Sequence, residues 1–81
     1  MNSAKLDKSP RLQRVHKLLS NGGEFSTMAI VQAANVCAVN SIISELRDNG
    51  IGIKCRAQYD KRLQNTIYYY SLDRGQVELA L

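Results

Sequence analysis

Apolar residues first recur at helical spacing between Leu12 and Leu19, where Leu12, Val15, Leu18 and Leu19 share one stripe and Arg11, Arg14 and Lys17 occupy the other faces. Ser9-Pro10 just ahead is a start signal, because serine caps and a proline in the first turn gives up an N–H that has no partner there anyway. The run Ser-Asn-Gly-Gly at 20–23 ends this helix. A second helix is predicted from the cap Ser26, with Phe25 before it placed to staple onto Ile30. It runs through Met28, Ala29, Ile30, Val31, Ala33 and Ala34, a density of apolar residues that predicts burial on most sides, and Asn35 supplies a left-handed end. The third helix is predicted over 37–48. Val39, Ile42, Ile43 and Leu46 stand at i, i+3, i+4 and i+7, opposite Cys37, Asn40, Ser41, Ser44 and Asp48, with Arg47 and Glu45 flanking.

After that helix the period changes. Asn49-Gly50 is a helix stop, and Ile51, Ile53 and Cys55 then alternate with Gly52, Lys54 and Arg56, as in a half-buried strand. A polar stretch at 57–65 reads as the connecting loop, and the β-branched and aromatic run 66–72 reads as the antiparallel return. Alternation there sets Tyr68 and Tyr70 on one face and Tyr69 on the other, so the three rings cannot form one stacking platform, and at least one face should pack on the helices. The order is helix, helix, helix, hairpin. It predicts an α+β domain at 9–72, a flexible N-terminus at 1–8 and a C-terminal tail at 73–81.

Composition narrows the class. With 81 residues, 44% of them hydrophobic, the chain supports one small domain with a single core. No apolar run approaches the roughly 18 residues needed to span a bilayer, and the charged N-terminus lacks the apolar segment of a signal peptide, so no membrane is expected and the expected location is cytoplasmic. Cys37 and Cys55 belong to no CxxC pair and no histidine cluster, which predicts two half-buried free thiols and no metal. There is no phosphate-binding glycine loop, the acids are scattered singly, and the one histidine, His16, reads as a surface or boundary residue without a catalytic partner. The expectation is a binder without cofactor, not an enzyme.

The formal net charge is +4, and its distribution carries more than its sum. Lys5, Lys8, Arg11, Arg14 and Lys17 face only Asp7 in the first twenty residues, and Lys54, Arg56, Lys61 and Arg62 face only Asp60 further on, while acids outnumber bases between these groups. Cations in two separated places suit contact with a polyanion at two points.

The element order, the run "AANVCAVNSIISELRDNGIGIK" and the later "YYYSL" resemble a winged helix-turn-helix domain. The likeness is to the small helix-turn-helix proteins of bacteriophages and prophages, in which an "I-S-E-L-R-x-x-G-x-x-I" pattern closes the recognition helix and enters the wing; here those positions are Ile43, Ser44, Glu45, Leu46, Arg47, Gly50 and Ile53. The resemblance spans residues 10–72 and implies a three-helix bundle containing a helix-turn-helix, followed by a C-terminal β-hairpin wing. It departs from the family in having Ala34-Asn35-Val36 where the turn often holds glycine, and in lacking an Arg or Lys at the start of the third helix.

The resemblance implies double-stranded DNA as the partner, with the third helix in the major groove, where Asn40, Ser41 and Ser44 reach base edges. Arg47, Lys54, Arg56, Lys61 and Arg62 would meet phosphate or the minor groove, and Arg14 and Lys17 on the first helix would meet backbone phosphate. It further implies transcription regulation, or an accessory role in recombination or replication. Two alternatives stay open: Asn40, Ser41 and Ser44 as an ordinary solvated face, and a module that binds a host or partner protein through the third helix and the apolar tail. Val77, Leu79 and Leu81 in that tail are candidates for a homodimer contact.

Overall fold

The computed structural model describes residues 5–73, so the tail positions Val77, Leu79 and Leu81 lie outside the described residues. The first helix, α1, spans Pro10–Ser20, with Pro10 in its first turn and the Ser9 hydroxyl accepting the Leu12 N–H at 3.5 Å. Leu12, Val15 and Leu19 are fully buried along its stripe. Residues 5–8, predicted to fray, are instead held. Leu6–Lys8 form a 3-10 turn, the Leu6 N–H donates to Asn49 Oδ1 at 3.0 Å, and Gln13 Nε2 donates to the Leu6 carbonyl at 2.9 Å. Asn49 Nδ2 in turn donates to the Glu45 carbonyl at 2.8 Å, so one side chain clamps the N-terminal segment to the end of the third helix.

Phe25–Ser26 form a short strand, β1, and α2 follows over Thr27–Ala34, capped by Ser26, whose hydroxyl accepts the Ala29 N–H at 3.1 Å. The expectation of burial on most sides is corrected: only Ile30 and Ala34 are buried, and Met28 is 62% exposed. At eight residues, α2 offers the core a single face, with Ala29 and Val31 half-buried at its margins and Met28 and Ala33 left exposed.

The turn between α2 and α3 uses two left-handed residues, Asn35 (φ 54°) and Ala38 (φ 54°). Asn35 ends α2 as predicted, and the Val36 N–H closes back on the Val31 carbonyl at 3.2 Å. Ala38 has no glycine's freedom there, which costs about 1 kcal/mol. Its left-handed backbone starts α3 at Val39, two residues later than the predicted 37, so Cys37 belongs to the turn. α3 spans Val39–Asp48 and buries Val39, Ile42, Ile43 and Leu46, the full predicted stripe. It ends at Asn49 and Gly50 (φ 89°), with the Ile51 N–H returning to the Leu46 carbonyl at 3.0 Å.

β2 (Ile53–Asp60) and β3 (Asn65–Leu72) form an antiparallel hairpin registered from Ile53↔Leu72 to Asp60↔Asn65. β1 adds to the other edge of β3, with Phe25 opposite Tyr70, giving the order β1-β3-β2. Residues 57–60, expected in the loop, continue β2, and only 61–64 turn. There the Asp60 carboxylate accepts the N–H groups of Arg62 (2.9 Å) and Leu63 (3.1 Å), and Gln64 takes a positive φ of 52°. Both thiols are exposed rather than half-buried, although Cys55 alternates in phase with Ile53 and stands opposite the buried Tyr70.

Among the described residues the result is an α+β fold of three α-helices and a three-stranded antiparallel sheet. Its core gathers Leu12, Val15, Leu19, Ile30, Val39, Ile42, Ile43 and Leu46 against Ile53 and Tyr70 at the base of the hairpin. The distal half of the hairpin projects past that core. Among the described residues, no single helix is long and apolar enough to cross a membrane.

Candidate nucleic-acid interface

Because the buried stripe of α3 is continuous, its opposite face must point outward, and Asn40, Ser41 and Ser44 are all exposed. Ala38, the residue before α3, supplies no side-chain cap, so the first turn presents its N–H groups without one. Asn40 is tethered from behind: the Tyr70 hydroxyl of β3 donates to its Oδ1 at 3.1 Å. Tyr70 is 6% exposed, and burial raises its pKa above the ordinary value of 10.0, with the Arg47 charge pulling weakly the other way. The tether leaves the amide nitrogen of Asn40 and a second lone pair of its oxygen for an outside partner.

The cations sort into two groups. Arg14 donates from Nε to the Ala34 carbonyl at 2.8 Å, satisfying the last carbonyl of α2. Arg47 donates to the Ile53 carbonyl at 2.9 Å and ties the end of α3 to the start of β2. Arg56 is the most committed. It meets both carboxylate oxygens of Glu24 at 2.9 Å, bonds Gln58 Oε1 at 2.6 Å and lies 4.6 Å above the Tyr69 ring. That hydrogen bond holds the Glu24 carboxyl below its ordinary range and raises the Arg56 guanidinium further. Among the described residues, the side chains of Lys17, Lys54, Lys61 and Arg62 are exposed and form no ion pair or hydrogen bond.

Acidic groups near this surface are largely occupied. Arg11 pairs with Glu45 on the flank of α3, and the Asp60 carboxylate turns inward on the hairpin tip. Arg11 and Arg14 border a shallow cleft beside the 35–38 turn, and Arg14 and Lys17 border a neighbouring one with Ala33 and Ala34. The cations of α1 therefore fringe the turn between α2 and α3, whereas Lys61 and Arg62 stand at the far end of the hairpin.

Register splits the hairpin into two faces. Ala57, Tyr59, Thr66 and Tyr68 continue the face on which Ile53 and Tyr70 meet the core, while Lys54, Arg56, Gln58 and Tyr69 line the other. Tyr68 and Tyr70 thus share a face, as alternation predicts, but Tyr70 packs on the helices and Tyr68 has passed them and is 48% exposed. Sequence reasoning did not single out Tyr59 or Leu63, which are 59% and 65% exposed. Their signal was present in the sequence: the alternation that starts at Ile53 runs on through Ala57 and Tyr59, which carries Tyr59 clear of the core and leaves Leu63 in the turn beyond. Among the described residues, no three His, Cys, Asp or Glu side chains cluster to hold a metal ion.

Comparison with protein-family models, with curated proteins and with solved structures finds no match.

Proposed function

We propose that the chain is a double-stranded DNA-binding protein of winged-helix type, with α3 as the recognition helix and the β2–β3 hairpin as the wing. The observation that carries this reading is the pairing of an exposed, uncharged polar face on α3 (Asn40, Ser41, Ser44) with a projecting hairpin whose Lys61 and Arg62 are free of protein partners. Amide and hydroxyl groups read base edges, and unpaired cations bind phosphate. The uncapped first turn of α3 adds the positive end of a helix dipole. In this reading Asn40 contacts a base edge with its amide pre-oriented by Tyr70, Lys54, Lys61 and Arg62 set register on the backbone, and Arg47 and Arg14 reach phosphate only with the nitrogens their carbonyl partners leave over. Arg56 braces the wing against Glu24 rather than holding DNA. The cellular role that fits is a small phage-type transcriptional regulator or an accessory factor in recombination or replication.

The second reading, a protein-interaction module, is favoured by one observation, the exposed apolar side chains Tyr59, Leu63 and Tyr68 on the hairpin. The double variant Lys61→Ala, Arg62→Ala separates the two. Each phosphate contact contributes about 0.9 to the slope of log K against log salt, so losing two flattens that slope by about 1.8 and weakens duplex binding. An unchanged slope overturns the assignment of the wing.

A further inference from the structure

Four large hydrophobic side chains are markedly exposed among the described residues, and three of them, Tyr59, Leu63 and Tyr68, lie on the hairpin. Leu63 is the most exposed of the four at 65%, and it sits in the turn itself. That turn is built rather than loose. The Asp60 carboxylate accepts the N–H groups of Arg62 and Leu63, and Gln64 takes the left-handed conformation that returns the chain to β3. The leucine is thus carried on backbone fixed before any partner arrives.

Lys61 and Arg62 precede it in the same turn, with exposed and unpaired side chains. The one acid at the tip, Asp60, is occupied by the turn's own N–H groups. A leucine set among free cations fits an apolar protein surface poorly, since docking there would strip water from two unpaired charges. It fits a nucleic-acid minor groove well: phosphates on the two rims take the cations, and the floor presents stacked bases to the apolar side chain. The groove is about 6 Å wide, which admits the side chains of a turn but not a two-stranded ribbon, so the tip is the part that enters.

We propose that Leu63 is an apolar wedge that enters the minor groove and partly unstacks one base step, so that the wing bends the duplex it binds. The proposal rests on the DNA-binding reading given above. Tyr59 and Tyr68, on the face that Tyr70 turns toward α3, then stand beside the backbone with hydroxyl groups able to donate to phosphate. Flexible pyrimidine–purine steps, TA above all, are the preferred point of entry because they unstack most easily.

The test uses the full chain and A·T-rich duplexes containing TA steps. Anisotropy measures binding, ligase-mediated ring closure of a short linear fragment measures bending, and 2-aminopurine placed at a TA step measures unstacking. The wild type should bind, raise ring closure above that of DNA alone and brighten 2-aminopurine. Leu63→Ala, at a position too exposed to matter for folding, should bind with an unchanged salt slope while ring closure and fluorescence fall back to the DNA-alone level, and Leu63→Phe should restore both. Binding by the wild type without bending, or bending that survives Leu63→Ala, overturns the wedge and leaves the DNA reading intact. Absence of wild-type binding to any duplex at low salt overturns both, and passes the apolar tip to a protein partner.

Discussion

Replacing Tyr70 with phenylalanine removes one hydroxyl from the join between the sheet and α3 and leaves the ring packed where it is. The bond lost to α3 is the 3.1 Å donation to Asn40 Oδ1, and the hydroxyl's weaker interactions with Thr27 and Cys55 go with it. A neutral hydrogen bond of this kind contributes about 0.5–1.5 kcal/mol. Asn40 is exposed, so water replaces the hydroxyl on its oxygen, and the cost stays near 1 kcal/mol rather than reaching that of a stranded buried group. For a domain of this length that is a fall in Tm of about 4–8 °C. The pH dependence has a definite sign. Burial raises the Tyr70 pKa above 10.0, so the protonated hydroxyl is favoured in the folded state. Its stabilising contribution is complete below the unfolded value near 10.0 and is lost as pH rises through the higher folded value. Phenylalanine has nothing to ionise, so the gap in Tm between wild type and Tyr70→Phe should narrow above that pH. Thermal melts followed by circular dichroism, across neutral to alkaline pH and including Asn40→Ala and the double variant, measure both effects. The double-mutant cycle should show a coupling of roughly 0.5–1 kcal/mol. An additive cycle, or a gap that stays constant into the alkaline range, would refute the link between the sheet and α3.

Glu24→Gln should release Arg56 toward DNA, steepening the salt slope by up to about 0.9 in an anisotropy titration, whereas a shallower slope would show that the brace was needed to hold the wing. Because the Glu24 pKa is lowered below 4.5, the contribution of its pair with Arg56 is present above that value and lost as pH falls through the lower folded one; the wing should keep its form in mild acid, which amide shifts along β2 will report. Asp60→Ala removes the acceptor that closes the hairpin tip, so amide exchange at 61–64 should quicken with little change in Tm. A large fall in Tm there would contradict the placement of the distal hairpin outside the core.

The elements legible in the sequence were those specified by neighbouring residues. Ser9, Ser26, Asn35 and Gly50 act through bonds to groups a few positions away, and each terminates a helix where its chemistry predicts. The α3 stripe was equally plain, because one side of that helix is wholly buried and the other wholly exposed, and the same contrast exposed Asn40, Ser41 and Ser44. What escaped depends on distant partners. Residues 5–8 are ordered by Asn49, 43 positions from Leu6, and β1 exists only because two residues pair with β3. Residues 57–60 are held by cross-strand bonds in a ribbon that has left the core; Ala57 and Tyr59 still alternate with Gln58 and Asp60, but the run of mostly polar residues on to Asn65 hides where the strand ends and the turn begins. Charge counting had the same blind spot. It could tally Arg56 as a cation but not show that Glu24, 32 positions away, already holds it.

The central claim is that the free cations of the wing and first helix form a DNA surface, and a salt titration of wild-type protein against a labelled random-sequence duplex tests it most directly. Among the described residues Lys5, Lys8, Lys17, Lys54, Lys61 and Arg62 have exposed side chains with no ion pair, and Lys17, Lys54, Lys61 and Arg62 are the four assigned to the DNA surface, so two to four phosphate contacts should give a slope of log K against log salt between roughly −2 and −4. A slope in that range supports the interface and justifies selection of a preferred site. A slope near zero, or no binding at low salt, contradicts it.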